Sequence, residues 1–117
     1  GLDVDMTHDG SMLVMSSRDI VRVFAMNSTT QETWVQVGQT LEGLWRGFAR
    51  LNSIGSRVYV GATGLRVYEY KHMQWTQLGE DIPTPHTQTH HKPAISADGN
   101  RVATSSYTSN SDEFSVR

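Results

Sequence analysis

Trp34-Val35-Gln36-Val37-Gly38 returns 41 positions later as Trp75-Thr76-Gln77-Leu78-Gly79. The echo is not isolated. Val21-Arg22-Val23-Phe24 returns as Leu65-Arg66-Val67-Tyr68 at an offset of 44, and Gly10-Ser11-Met12-Leu13-Val14-Met15 as Gly55-Ser56-Arg57-Val58-Tyr59-Val60 at an offset of 45. Three landmarks recurring in one order at nearly one spacing mark an array of supersecondary units, each too small to bury its apolar surface alone.

The residues between the landmarks read as short strands. In 2–7, Leu2, Val4 and Met6 alternate with Asp3 and Asp5, the period of a strand with one apolar face. Asp9-Gly10 is a hairpin signal, because glycine accepts a positive φ without a Cβ clash. Strands are expected at 12–17, 20–26 and, after a polar loop over 27–32, at 33–41. The second unit predicts strands at 48–51, 57–62, 65–70 and 74–82. The third predicts 93–96 and 101–105, a polar loop over 106–112, and the start of a third strand at Phe114-Ser115-Val116. No run of ten residues keeps a helical period, and Gly, Ser and Thr interrupt throughout.

Four antiparallel strands in 40 to 45 residues is about the size of a β-propeller blade. The expected fold is therefore all-β, with propeller blades at 1–43 and 44–84 and a partial third blade at 85–117 lacking its outer strand. Strands apolar on both sides, such as Val58-Tyr59-Val60, fit a sheet packed between two neighbours. A ring needs about four blades or more, so roughly two and two-thirds predict an incomplete ring. The sequence favours a segment of a longer polypeptide over a protomer completed by other chains.

At these motifs the unit resembles the tandem repeats of large diatom and marine-bacterial proteins. Those blades read S-x-D-G-x-R-V-A-x-G, then V-R-V-Y, then W-x-Q-x-G. Ser96-Ala97-Asp98-Gly99-Asn100-Arg101-Val102-Ala103 matches the first element, Leu65-Arg66-Val67-Tyr68 and Val21-Arg22-Val23-Phe24 the second, and the two Trp-x-Gln-x-Gly stretches the third. The resemblance implies a propeller, surface-associated and without known catalytic activity. Ile54 departs from it at the turn aspartate. A WD40-like propeller is the runner-up, but neither its Gly-His nor its Trp-Asp pair is present.

Composition narrows the function. Net charge is −2, with charges scattered singly and no basic stripe, which argues against nucleic acid. No apolar run is long enough to span a bilayer as a helix, so no membrane insertion is expected. Cysteine is absent, which excludes a disulfide scaffold.

The candidate site residues divide by the repeat. Trp34 and Trp75 hold one position in it and read as packing wedges between blades; Gly10, Gly55 and Gly99 read as its hairpin turns, and Gly38 and Gly79 as repeat landmarks within the fourth strands. Arg22 and Arg66 also repeat and are expected to bond from blade to blade. Trp45 has no repeat partner and is, with Tyr107, the better candidate for a partner or sugar contact, since aromatic faces are large and rigid. His86, His90 and His91 form a metal-like cluster, but His90 and His91 would point to opposite faces of a strand, and no Cys or carboxylate lies close in sequence to complete a zinc set. Asp3, Asp5 and Asp9 do not reproduce a calcium loop; Asp3 and Asp5 read as a polar face or channel lining, Asp9 and Asp98 as turn residues. No nucleophile elbow or phosphate-binding loop occurs. No cofactor, metal or catalytic residue is expected. The reading is a non-enzymatic interaction or scaffolding segment, extracellular or at the cell surface, whose partners are other chains or further blades. A carbohydrate-binding propeller and a hydrolase completed by other blades are the alternatives.

Overall fold

The computed structural model describes residues 3–42, 48–61, 64–82, 93–103, 105–108 and 111–116, the last two segments as backbone. The first sheet is β1 (Asp3–Met6), β2 (Met12–Ser16), β3 (Val21–Met26) and β4 (Trp34–Gln36), antiparallel in chain order. The second is β5 (Ala49–Leu51), β6 (Arg57–Gly61), β7 (Leu65–Lys71) and β8 (Gln74–Gln77), in the same order. β9 (Ala94–Ile95) pairs with β10 (Val102–Ala103), and β11 (Ser105–Thr108) pairs with β12 (Ser111–Val116). There is no helix among the described residues. These are propeller blades, two complete and one partial, and the ring they begin is not closed.

Cross-strand partners share a face of the sheet. The register Asp5↔Val14↔Val23 puts these three on one face of blade 1, while Val4↔Met15↔Arg22 lie on the other. The first face packs on blade 2. Val14, Val21, Val23 and Leu41 meet Ala49, Leu51, Val58, Val60 and Trp75 in one buried cluster. The far face of blade 2 repeats the arrangement: Phe48, Tyr59, Leu65 and Val67 form a second cluster with Ile82, Ile95 and Val102. This is why Val58-Tyr59-Val60 is buried on both sides: Val58 and Val60 face blade 1, and Tyr59 faces the third sheet.

The outer strands are shorter than the sequence suggested. The stretch expected at 33–41 pairs only over Trp34–Gln36, and that at 74–82 only over Gln74–Gln77. Gly38 and Gly79, at φ 71° and 72°, turn the chain out of the ladder. It rejoins at one residue, where Leu41 exchanges two 2.9 Å backbone bonds with Val21 and Ile82 exchanges bonds of 2.8 and 2.9 Å with Leu65. The β3–β4 loop holds an Asx turn, with Thr29 N–H donating to Asn27 Oδ1 at 2.8 Å. Its counterpart in blade 2 is the two-residue tip His72-Met73, both at positive φ, which suits the right-handed twist of a hairpin.

The third unit differs from expectation at 106–112. That stretch was expected as a polar rim loop, but most of it is strand: β11 and β12 form a hairpin with a register shift between Ser106 and Thr108. Val116 opposes Ser105 as Val21 opposes Ser16 and Leu65 opposes Gly61, so the hairpin is an extension of the blade's second and third strands. Polar composition hid it, because a hairpin projecting beyond the core does not need one apolar face.

Candidate functional site

The residues of the Trp-x-Gln-x-Gly motif have separable tasks, and Trp75 and Gly38 act at the junction of the two blades. Trp75 opens the outer strand of blade 2 on the face toward blade 1 and is 3% exposed. Its indole Nε1–H donates to Val37 O at 2.8 Å, and its ring lies 5.0 Å from Tyr70, tilted by 51°. Gln39 clamps its backbone from blade 1: Trp75 N–H donates to Gln39 Oε1 at 2.8 Å, and Gln39 Nε2 donates to Trp75 O at 2.7 Å. Gly38 makes room, since a Cβ there would stand 2.6 Å from Trp75 Cδ1. Trp34 holds the same position in blade 1 and is 38% exposed. Trp75 fills the wedge between the two described blades. Only Trp75 has a described neighbouring blade on its side.

The motif glutamine works inside its own blade. Gln36 Nε2 donates to Thr40 Oγ1 at 3.1 Å, and Gln77 Nε2 donates to Asp81 Oδ1 at 2.8 Å. The repeated arginines meet the same two residues. Arg22 Nε donates to Thr40 Oγ1 at 3.2 Å; Arg66 grips Asp81 with Nε to Oδ1 at 2.8 Å and Nη2 to Oδ2 at 2.9 Å. Hydrogen bonding to Asp81, then to Tyr68, raises the Arg66 pKa further. The expectation that Arg22 and Arg66 join neighbouring blades is overturned. They tie the third strand to the segment after the outer strand, as the register demands once glycine has turned that segment back.

The β-turns carrying Gly10, Gly55 and Gly99 stack along one rim. In the first, Asp9 Oδ1 accepts from Ser11 N–H (2.9 Å), Ser11 Oγ (2.7 Å) and Thr7 Oγ1 (2.9 Å), while Met12 N–H donates to Thr7 Oγ1 (3.0 Å). In the third, Asp98 Oδ1 accepts from Asn100 N–H (2.9 Å) and Ser96 Oγ (2.7 Å), and Arg101 N–H donates to Ser96 Oγ (3.0 Å). These donors hold both carboxyls below the usual aspartate range: the Ser11 hydroxyl and then its N–H for Asp9, the Asn100 N–H and then the Ser96 hydroxyl for Asp98. The second turn has Ile54 where aspartate stands, and Asn52 supplies both functions. Its Oδ1 accepts from Arg57 N–H at 2.8 Å and its Nδ2 donates to Ser56 Oγ at 2.8 Å. The asparagine at the Thr7/Ser96 position is the sequence signal for this substitution.

The turns also bridge blades. Tyr59 OH and Arg57 Nη1 both donate to Gly99 O, at 2.6 and 2.8 Å, and Ser53 Oγ donates to Ala97 O at 2.6 Å. Burial pushes the Tyr59 hydroxyl pKa up. At the inner edge, Asp3 and Asp5 accept the backbone N–H groups of Ala49 (3.2 Å) and Leu51 (2.9 Å), with Arg50 Nε 3.6 Å from Asp5 Oδ2. They are not a bare polar face, since they satisfy edge amides of the next blade's innermost strand.

Trp45, His86, His90 and His91 lie outside the described residues. Tyr107 sits on β11, and its side chain is likewise outside the description. Among the described residues, no group of three or more His, Asp or Glu is gathered as metal ligands. No helix among them is long and apolar enough to cross a membrane.

Comparisons with protein-family models and with curated proteins gave no match. Among solved structures, the chain is similar to a candidate 6-phosphogluconolactonase from Bacteroides uniformis, with a TM-score of 0.64 and 13% identity. The alignment covers 97% of this chain and 35% of that one, so the chain spans about a third of the neighbour's length. The likeness is one of fold, of the propeller-like kind.

Proposed function

We propose that this chain is a stretch of β-propeller blades acting by rigid display, a non-enzymatic interaction or scaffolding segment of a larger extracellular or cell-surface protein of the Trp-x-Gln-x-Gly type. One observation carries the reading: six charged side chains of the described blades are committed to holding strands, turns and blade edges together. Asp3 and Asp5 hold the next blade's edge, Asp9 and Asp98 close turns, and Arg57 and Arg66 bridge turn to turn or strand to strand. A stiff stack leaves the loops on its rims, such as 27–32, as the variable surface a partner reads.

The similarity to a lactonase-type structure favours a second reading, a hydrolase whose reacting groups come from other blades. The two separate in one experiment. The purified chain is incubated with 6-phosphogluconolactone and with uncharged aldonolactones in a pH-stat, and a photo-reactive group is placed at Thr29. The display reading expects ring opening at the buffer rate and a discrete cross-linked partner that is absent when the group replaces Trp75. In a longer polypeptide that adds further blades, acceleration above buffer that is lost on replacing a buried carboxylate of those blades would move the assignment to the hydrolase.

A further inference from the structure

The face of blade 1 turned away from blade 2 carries Val4, Met6, Met15 and Trp34, which are 50%, 48%, 38% and 38% exposed. The repeat register pairs each with a residue of blade 2, namely Ala49, Leu51, Val60 and Trp75, and those four are 0%, 6%, 0% and 3% exposed. What buries the second set is blade 1 itself, so the molecule contains a worked example of the surface that fits the first set. The edge amides tell the same story. Ala49 and Leu51 point their N–H groups away from the ladder and donate them to the Asp3 and Asp5 carboxylates of blade 1, respectively. Val4 and Met6, in the same register on β1, turn theirs outward at the edge of blade 1.

We infer that this face is a docking surface for one further blade of the same build, defined by its chemistry. Its inner strand carries two carboxylates two residues apart, placed for the Val4 and Met6 amides. Its outer segment carries a carbonyl for the Trp34 indole N–H, then a left-handed glycine leaving room for the ring, then a glutamine clamping the Trp34 backbone, as Val37, Gly38 and Gln39 do for Trp75. A bare apolar partner would bury the side chains and leave the edge amides desolvated without acceptors, which is unfavourable. A second copy of this chain does not meet the description. Ala94, two residues before the turn serine of the third unit, stands where Asp5 stands before Thr7, and the Leu78–Gly79 notch belongs to a blade whose inner strand already faces the third sheet. The inference rests on the chain being a stretch of blades, and not on what its rims bind.

The test offers the face its complement. A second copy of residues 1–43 is fused ahead of Gly1 of the full chain, and amide exchange at the chain's own Val4 and Met6 is followed together with acrylamide quenching of Trp34. The expected result is exchange slowed by about tenfold or more at both amides and reduced quenching. Both effects should vanish when the added copy carries Asp3→Ala, Asp5→Ala and Gly38→Val. Unchanged exchange overturns the inference, and so does protection that survives those three substitutions. An added copy that stays disordered on the folded chain overturns it too, because the face was offered every complement named. Self-association of the unfused chain that Trp34→Lys abolishes would instead make a second copy the occupant. None of these outcomes bears on lactone hydrolysis or rim cross-linking, so this inference and the display reading fail separately.

Discussion

Gly38 and Gly79 occupy one position of the repeat and share a left-handed backbone, yet their surroundings differ. A Cβ on Gly38 would meet Trp75 Cδ1 at 2.6 Å and Nε1 at 2.8 Å, whereas one on Gly79 meets nothing within 4 Å. Alanine at either position carries the backbone penalty of about 1–2 kcal/mol. At Gly38 it must also displace a buried indole that is hydrogen-bonded and clamped on both sides, adding about 1–3 kcal/mol of overpacking. Chemical denaturation is therefore expected to show Gly38→Ala losing about 3 kcal/mol and Gly79→Ala only about 1 kcal/mol. Equal losses would mean that the notch does not seat Trp75. The tryptophans make the same point: one residue type at one repeat position is core in blade 2 and surface in blade 1, because burial is set by the neighbour.

The turn is the element where the sequence repeat and the structural repeat part company. Turns one and three use a hydroxyl and an aspartate, and turn two condenses both into Asn52. The chemistry differs, and so does its response to acid. Asp9 and Asp98 have folded-state pKa values below the ordinary 3.8, so the stabilisation they contribute is present above that value and is lost as pH falls through the lower folded values. Asn52 does not titrate. Acid unfolding followed by circular dichroism is expected to show a shallower dependence on pH below about 4 for an Asp9→Asn, Asp98→Asn double variant than for the parent chain. An unchanged slope would assign the acid sensitivity to other carboxylates. The β11–β12 hairpin belongs to this scale as well. Its pairing was not legible because neither the alternation nor the Asp-Gly and Asn-Gly signals of a tight hairpin mark its tip.

For the molecule as a whole, stability runs from blade to blade. Each sheet is thin, and its apolar faces are covered only where a neighbour stands, so the array behaves as units coupled by interfaces. The Asp5 carboxylate is a coupling group, since it reaches across to the Leu51 N–H that points away from its own ladder. Asp5→Ala leaves that amide without its charged acceptor and is expected to cost about 1–2 kcal/mol. The more telling readout is cooperativity. Trp75 fluorescence, which reports the blade interface, should begin to change at lower urea than the far-ultraviolet signal, which reports the sheets. Coincident transitions in the variant would show that Asp5 does not couple them.

The repeat offsets, the alternating strands and the glycine turns are local properties of the chain, and they determined the blade architecture. The tasks of individual side chains were decided by tertiary structure. Arg22 and Arg66 turned inward to their own blades because Gly38 and Gly79 fold the following segment back to meet them. Asp3 and Asp5 found edge amides some 46 residues away, an assignment for which strand periodicity has no signal. Trp34 and Trp75 read alike in the sequence because each is followed by a glutamine two positions on and a glycine four positions on. They differ in the structure because burial depends on what stands across a gap in space, and only Trp75 has blade 1 across from it.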